Sequence, residues 1–351
     1  GCMVGNNSAS VLVDAYMKGV KVKDVETLYE GLINGTKQVH PQVSSTGRLG
    51  HEYYNTLGYV PCDVGIHENA ARTLEYAYDD WCILQLAKVL KRPKKEIREL
   101  EKRAQNYKHL FHKDYNLMCG KKKNGEFEQK FSPLKWGGNF TEGNSWHYTW
   151  SVFHDPAGLI SLMGGKERFV AMLDSVFTVP PHYDDSYYGF PIHEIREMTV
   201  MNMGNYAHGN QPIQHMIYLY NFAGQPWKAQ YWVREVMNRM YTPGPDAYCG
   251  DEDNGQTSAW YVFSAMGFYP VCPGTAQYVL GAPYVPYMKL ALDNGKTFEI
   301  KAPEVSDKNR YVKSVLLNGM KMSKGTNIIT INDAAYKIVD YVLNATANSS
   351  T

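Results

Sequence analysis

The chain has 351 residues, with 36 basic against 35 acidic side chains and a net charge of +1. That length supports a large domain and a smaller one, and a balanced charge without a basic run excludes the electrostatic footprint of a nucleic-acid or anionic-lipid binder. The longest apolar runs fall short of the roughly 18 to 20 residues that cross a bilayer, so membrane insertion is not expected.

Taken in chain order, residues from about 8 to 270 read mainly as helices. Ala9 to Lys18 and Lys23 to Ile33 have helical spacing, and Asn69 to Leu90 places Leu74, Ala77, Trp81, Leu84 and Ala87 on one face. Pro93 opens a further helix, running to about Phe111, at the position where a missing N–H costs little. Other candidates are Trp146 to His154, Pro156 to Met163, Lys166 to Phe177, Pro212 to Phe222, Pro226 to Tyr241 and Thr257 to Met266. That makes about ten helices, whereas a closed ring of helical hairpins wants twelve. The chain therefore reads as an (α/α)6 helical barrel over residues 1–270, incomplete at its N-terminus, as in a fragment whose N-terminal portion is missing.

After Pro270 the texture changes to short β-branched or alternating runs: Tyr278 to Leu280, Met288 to Leu292, Thr297 to Ile300, Val312 to Leu317, Asn327 to Ile331 and Tyr336 to Leu343. Asp293-Asn294-Gly295 and Asn318-Gly319 supply turns. A small antiparallel β domain over 271–351 is the expectation.

Six cysteines, Cys2, Cys62, Cys82, Cys119, Cys249 and Cys272, are scattered without zinc-ligand spacing and read as structural thiols. Aromatics make up 13% of the chain, with 27 Tyr and 7 Trp, and cluster near polar residues. Aromatic faces bordered by Asn, Asp, Glu and His suit the flat C–H faces and hydroxyl edges of sugars, although packing between helices accounts for many of them.

Three long loops between helices carry the chemistry. Phe131 to Ser145 contains Glu142 among aromatics, and burial against Phe140 and Trp146 raises a carboxyl pKa as a general acid requires. In the same loop Asn144 or Ser145 is placed to cap the helix starting at Trp146. Thr242 to Gln256 contains Asp251-Glu252-Asp253-Asn254-Gly255, which fails as an EF-hand because Val262 stands where a bidentate Glu is needed. What remains is a tight loop entering a helix, where carboxylates near backbone N–H groups stay ionised and suit a general base. Val179 to Gln211 supplies His193-Glu194-Ile195-Arg196-Glu197, then Asn205, His208, Asn210 and Gln211. Glu197 breaks the HExxH zinc pattern, and oxygen donors with one His favour calcium over zinc. Asp79-Asp80 lacks the third Asp of DDxxD and reads as a pair of hairpin or core hydrogen-bonders.

The segments TLEYAYDDWCI, AQNYKHLF, FTEGNSWHYTW, GLISLMGGKERFV, YAHGNQPIQHMIYLYNFAGQPWKAQ and CGDEDNGQTSAWYVFSAMGFYPVCPG resemble glycoside hydrolase family ninety-two, the calcium-dependent exo-α-mannosidases. The resemblance covers nearly the whole chain. It implies an N-terminal β-sandwich, not seen in this sequence, that would complete the pocket, followed by the helical barrel and a C-terminal β region. It implies an inverting reaction at a terminal α-mannoside, with Glu142 as acid and Asp253, seconded by Asp251, as base, the two carboxyls standing roughly 6.5 to 9.5 Å apart to admit water. His193 and Glu194 match members that act on α-1,2 linkages by contacting the leaving sugar, and Asn144, Trp146 and His208 fall to substrate binding. Ca2+ is the implied cofactor, with Glu197, Asn210 and Gln211 as its candidate ligands. Many members read GNEPSHH where this chain has GNQPIQH, so Gln211 and Gln214 are departures. The partner implied is a mannose-containing glycan, an N-glycan or mannan, met in the periplasm or outside a bacterial cell. Two rival readings are a mannan-binding module without turnover and a hydrolase of another mannosyl linkage, α-1,3 or mannosyl phosphate.

Overall fold

A computed structural model of the chain describes residues 4–42, 46–292, 295–323, 325, 327–330 and 337–344. Cys2, the turn residues Asp293 and Asn294, and the run ends Ile331 and Tyr336 lie outside the described residues. The chain resolves into two compact units, Gly1–Met163 with Pro181–Arg196 and Cys272–Thr275, and Gly164–Pro180 with Glu197–Val271 and Ala276–Thr351.

The first unit is built on helices α1 (Ser8–Met17), α2 (Val25–Gly35), α3 (His51–Leu57), α4 (Asn69–Val89) and α5 (Lys94–Arg103). A short antiparallel pair follows, β1 (Phe111–His112) with β2 (Leu117–Met118), and then α6 (Ser145–Tyr148) and α7 (Pro156–Leu162). Helix α4 is buried nearly all round, the mark of a helix packed among others rather than on a surface. Ala9, Val13, Tyr29, Leu32 and Leu100 join its Leu84 and Leu86 in one apolar cluster. On α4 Asp80 receives Arg48 and Arg103, both at 2.8 Å, and the Tyr54 hydroxyl at 3.1 Å, while Asp79 receives the Asn6 N–H at 3.1 Å. The Asp79-Asp80 pair is thus a core hydrogen-bonding element, as expected. By contrast α5 buries only Leu100 fully and carries charge over the rest of its surface.

Three expected helices are shorter or broken in the structure, the one from Pro212 dividing into a helical turn, Gln211–Gln214, and a 3-10 segment, Met216–Asn221. The one from Trp146 starts at Ser145 and stops at Tyr148, and Asp155, which caps α7 ahead of Pro156, stands outside the helical region at φ −140, ψ 58. The one from Pro93 ends at Arg103 and gives way to a 3-10 turn, Asn106–Leu110.

The second unit contains α8 (Lys166–Thr178), α10 (Gln211–Gln214), α11 (Pro226–Met240) and α12 (Gln256–Met266), and α9 (His193–Met201) runs across the boundary between the units. Helix α9 lies within a segment expected to be a loop. Its buried Ile195 and Met198 are spaced three apart, a period too short to stand out beside the Gly- and Pro-containing stretches around it. The strands β3 (Phe268–Tyr269), β4 (Gln277–Leu280), β5 (Tyr287–Ala291), β6 (Thr297–Lys301), β7 (Tyr311–Leu317), β8 (Met320–Lys321), β9 (Ile328–Thr330) and β10 (Lys337–Asn344) follow in order. They form a three-stranded sheet β3-β4-β9 and a five-stranded sheet β5-β6-β10-β7-β8. Every pair in them is antiparallel except β6 with β10, whose long connection meets the crossover a parallel pair requires. Phe268, Leu280, Phe298, Ile300, Val315, Tyr341 and Leu343 make their core. The change of texture read after Pro270 falls just past the first short strand, β3, and the compact units divide the chain elsewhere.

Candidate active site

The loop carrying Glu142 is held by its backbone. The Asn139 carbonyl accepts from the N–H groups of Ala70 and Ala71 at the start of α4, and Gly137 N–H donates to the Gly143 carbonyl at 3.0 Å. Glu142 takes the left-handed conformation, φ 44, which costs a non-glycine residue of order 1–2 kcal/mol. Its N–H donates to the Tyr188 hydroxyl at 3.1 Å, and the Tyr148 hydroxyl donates to the Thr141 carbonyl at 2.9 Å. Phe140 does not bury the Glu142 carboxyl as expected. It stacks on Tyr148 with centroids 5.3 Å apart, while Glu142 is exposed and Trp146 half-buried.

Asn144, expected at the sugar, is 0% exposed and caps α6. Its side chain accepts from His147 N–H, and His147 Nδ1 accepts from Asn144 N–H, a reciprocal cap that satisfies two donors. At the start of α9, His193 Nε2 lies 3.2 Å from Glu194 Oε1, with His193 exposed and Glu194 buried. Glu75, on α4, has a carboxyl pushed up to about 8 by burial, with the Asp79 charge adding to the effect. The periodic apolar pattern of α4 hid it from the sequence reading.

In the second unit the acidic loop divides its three acids between two tasks. Glu252, not Asp253, meets the backbone donors of α12: its carboxylate accepts from Gly255 N–H at 2.8 Å and from Ser258 N–H at 3.3 Å. Hydrogen bonds from the Ser258 side chain and from Gly255 hold its pKa below the usual carboxylate range. Asp251 and Asp253 are left exposed, the Asp251 carbonyl accepting from Thr257 Oγ1 at 3.0 Å. Asp253 and Asn254, both at φ 54, and Gly255 at φ 104 turn the chain into the helix. Gln211 Nε2 donates to Asp253 Oδ2.

Asn210 is 8% exposed and its side-chain oxygen accepts from Gln211 N–H at 3.0 Å, serving as the cap of α10. Glu197 of α9 is half-buried against two glycines from separate loops: a Cβ on Gly209 would come within 2.4 Å of its Oε2, and one on Gly250 within 2.6 Å. At Gly250 the Gly209 backbone, 2.6 Å away, also excludes a Cβ, whereas at Gly209 the Glu197 carboxylate would have to shift, a constraint invisible in the linear sequence because the two glycines lie on separate segments. His208 is 1% exposed. Its ring meets the Tyr206 hydroxyl at 2.9 Å and the Tyr241 hydroxyl at 2.7 Å, and burial lowers its pKa to about 3, so it is a neutral packing and hydrogen-bonding group. Gln214, one of the two departures, is buried, with its Nε2 donating to the His208 carbonyl at 3.0 Å and its backbone carbonyl accepting from Trp260 Nε1 at 3.0 Å.

Among the described residues no three His, Cys, Asp or Glu side chains gather as a metal cluster. The donors that Glu197, Asn210 and Gln211 offer are one carboxylate and two amide oxygens. That chemistry fits a hard cation such as calcium, which takes carbonyls and water beside carboxylates, and not zinc. The five described cysteines are all free.

Against this layout, a model of the glycosyl hydrolase family 92 catalytic domain matches residues 1–338. The chain belongs to glycosyl hydrolase family 92. Among solved structures, a family 92 inverting mannosidase from Bacteroides thetaiotaomicron is similar over 99% of the chain, with TM-score 0.89 and 48% identity, the match covering 47% of that protein. A second family 92 α-mannosidase from the same organism, in complex with mannoimidazole, has TM-score 0.87 and 35% identity over 99% of the chain and 44% of its own length. An uncharacterized secreted glycosidase from Arthroderma benhamiae is 26% identical over 359 residues, 91% of the chain and 42% of the relative. The chain spans less than half the length of each. Its helix-rich architecture with small sheets is the one these family 92 structures share, as the expected fold class required.

Proposed function

We propose that this chain carries the catalytic machinery of an inverting, calcium-dependent exo-α-mannosidase that removes terminal mannose from α-1,2-linked mannosides of N-glycans or mannans outside the cytoplasm. The observation that carries the reading is the family 92 match over residues 1–338. Glu142 protonates the departing glycosidic oxygen, and Asp253, with Asp251 beside it in sequence, takes the proton from the attacking water. The exposed Asp253 carboxylate suits a base, and Gln211 orients it through its amide. His193 and Glu194 bind the leaving sugar, and Trp146 contributes to substrate binding. Bound at Glu197, Asn210 and Gln211, calcium would supply a charge that fixes the sugar hydroxyls. The division at residue 270 between a catalytic helical part and a β part belongs to the same proposal.

The test is digestion of linkage-defined mannobioses by the purified protein, with calcium and with chelator. The expected result is mannose from the α-1,2 isomer only, lost on chelation and restored by calcium but not by zinc. Binding without release on every isomer would convert the reading into a mannan-binding module, and release from the α-1,3 isomer or from mannosyl phosphate would replace the linkage.

A further inference from the structure

Apart from the residues given catalytic or metal roles, the second unit has a cavity of about 620 Å³ beside α11 and α12, within the roughly 300 to 1,000 Å³ of small-molecule sites. One side of it is a row of four tyrosines. Tyr248 and Tyr241 have ring centroids 6.0 Å apart, Tyr241 and Tyr261 4.8 Å, and Tyr261 and Tyr284 6.4 Å. None of the four is fully buried, and Tyr248 is 37% exposed. Val262, in the same lining, is 50% exposed.

The polar groups select the ligand class. Asn238 Oδ1 accepts from the Tyr284 hydroxyl at 2.8 Å, and the Tyr248 hydroxyl pairs with Ser258 Oγ at 2.7 Å. Among the described residues no hydrogen bond engages the Tyr261 hydroxyl. Asp307 is the charged residue of the lining and interacts with the Arg234 guanidinium, so neither sign of charge prevails there. A quaternary or ammonium ligand, the usual guest of an aromatic cage, is disfavoured because the Arg234 guanidinium already lies 4.6 Å from the Tyr284 ring centre. A neutral ligand with flat C–H faces and hydroxyl edges fits what is left.

We propose that this tyrosine row is a second saccharide-binding groove, which holds a stretch of an uncharged mannose-containing chain. The identity of the sugar rests on the mannosidase reading, whereas the class of ligand rests on the groove itself. The groove contains none of the candidate calcium ligands, so its binding is independent of metal.

Isothermal titration of the whole chain with mannopentaose in EDTA tests it, comparing wild type with Val262→Trp, which fills the groove from an exposed helix position, and Tyr261→Ala, which removes the central ring. The expected result is binding by wild type and at least tenfold weaker binding by both variants, with the melting temperature of Val262→Trp unchanged. Titrations identical in all three proteins, or no binding by wild type in EDTA, would overturn the groove. Should Tyr261→Ala fail to fold, Val262→Trp decides alone. Failure of the mannosidase reading shows separately, as absence of released mannose from the calcium-loaded protein.

Discussion

The loop around Glu142 and the loop around Asp253 each present an exposed carboxylate on a left-handed residue, yet they are fixed by different means. At Glu142 the fixing is remote: Tyr188 receives its N–H, and Asn139 anchors the loop to the first turn of α4. At Asp253 it is mainly local: the Glu252 carboxylate occupies the N-terminal donors of α12, which leaves the carboxylates of its two acidic neighbours off those donors, and Gln211 reaches Asp253 from α10. A helix terminus that captures one carboxylate releases the others, whereas a strained residue without such a neighbour depends on hydroxyls brought from elsewhere in the chain.

The comparison breaks most directly at the carboxylates themselves. Glu142→Gln and Asp253→Asn should each lower mannose release by at least roughly 10²- to 10⁴-fold with the melting temperature unchanged, as measured by turnover and calorimetry. Wild-type rates from either variant remove that residue from the mechanism. Next in size, Gly209→Ala or Gly250→Ala forces Glu197 to move, and overpacking of this kind costs about 1–3 kcal/mol. Either variant should melt lower and need more calcium for half-maximal activity, and an unaltered calcium requirement would detach Glu197 from the metal. Tyr188→Phe sharpens the contrast between remote and local fixing: losing one acceptor costs about 1 kcal/mol, so kcat should fall less than tenfold.

The smallest effect is on stability against pH. Burial lowers His154 from 6.5 to about 4 and raises Glu75 from 4.5 to about 8. The unfolded chain binds the histidine proton that the folded chain refuses, so the His154 contribution is full above pH 6.5 and is lost as pH falls toward 4. Glu75 runs the other way: its contribution is full below pH 4.5 and is lost as pH rises through 8. Melting curves should show His154→Asn flattening the acid side and Glu75→Gln flattening the alkaline side. Identical profiles in both variants and wild type contradict the assignment.

Legibility in the sequence followed the range of the interactions. The long helix α4, the strands after Pro270 and the acid-bearing loops are set by local periodicity and by Gly, Asn and Pro, so they could be read directly. Helix α9 could not, since its two buried apolar positions, Ile195 and Met198, need the tertiary core to show. The same holds inside the candidate site. The roles of Asp251, Glu252 and Asp253 look interchangeable in the sequence, and only the turn of α12 tells which one caps it. Asn144 and His208, both expected at the sugar, are partly explained by partners within the fold, because a buried polar side chain must be satisfied wherever it lies. Tyr188, Gly209 and Gly250 were missed, since each acts on a residue far away in the chain.

The most direct test of the proposed chemistry compares Glu142→Gln on two substrates, α-1,2-mannobiose and dinitrophenyl α-mannoside, whose leaving group departs without a proton. If Glu142 is the acid, the variant should lose most of its rate on mannobiose and little on the activated substrate. Equal losses on the two would contradict the assignment.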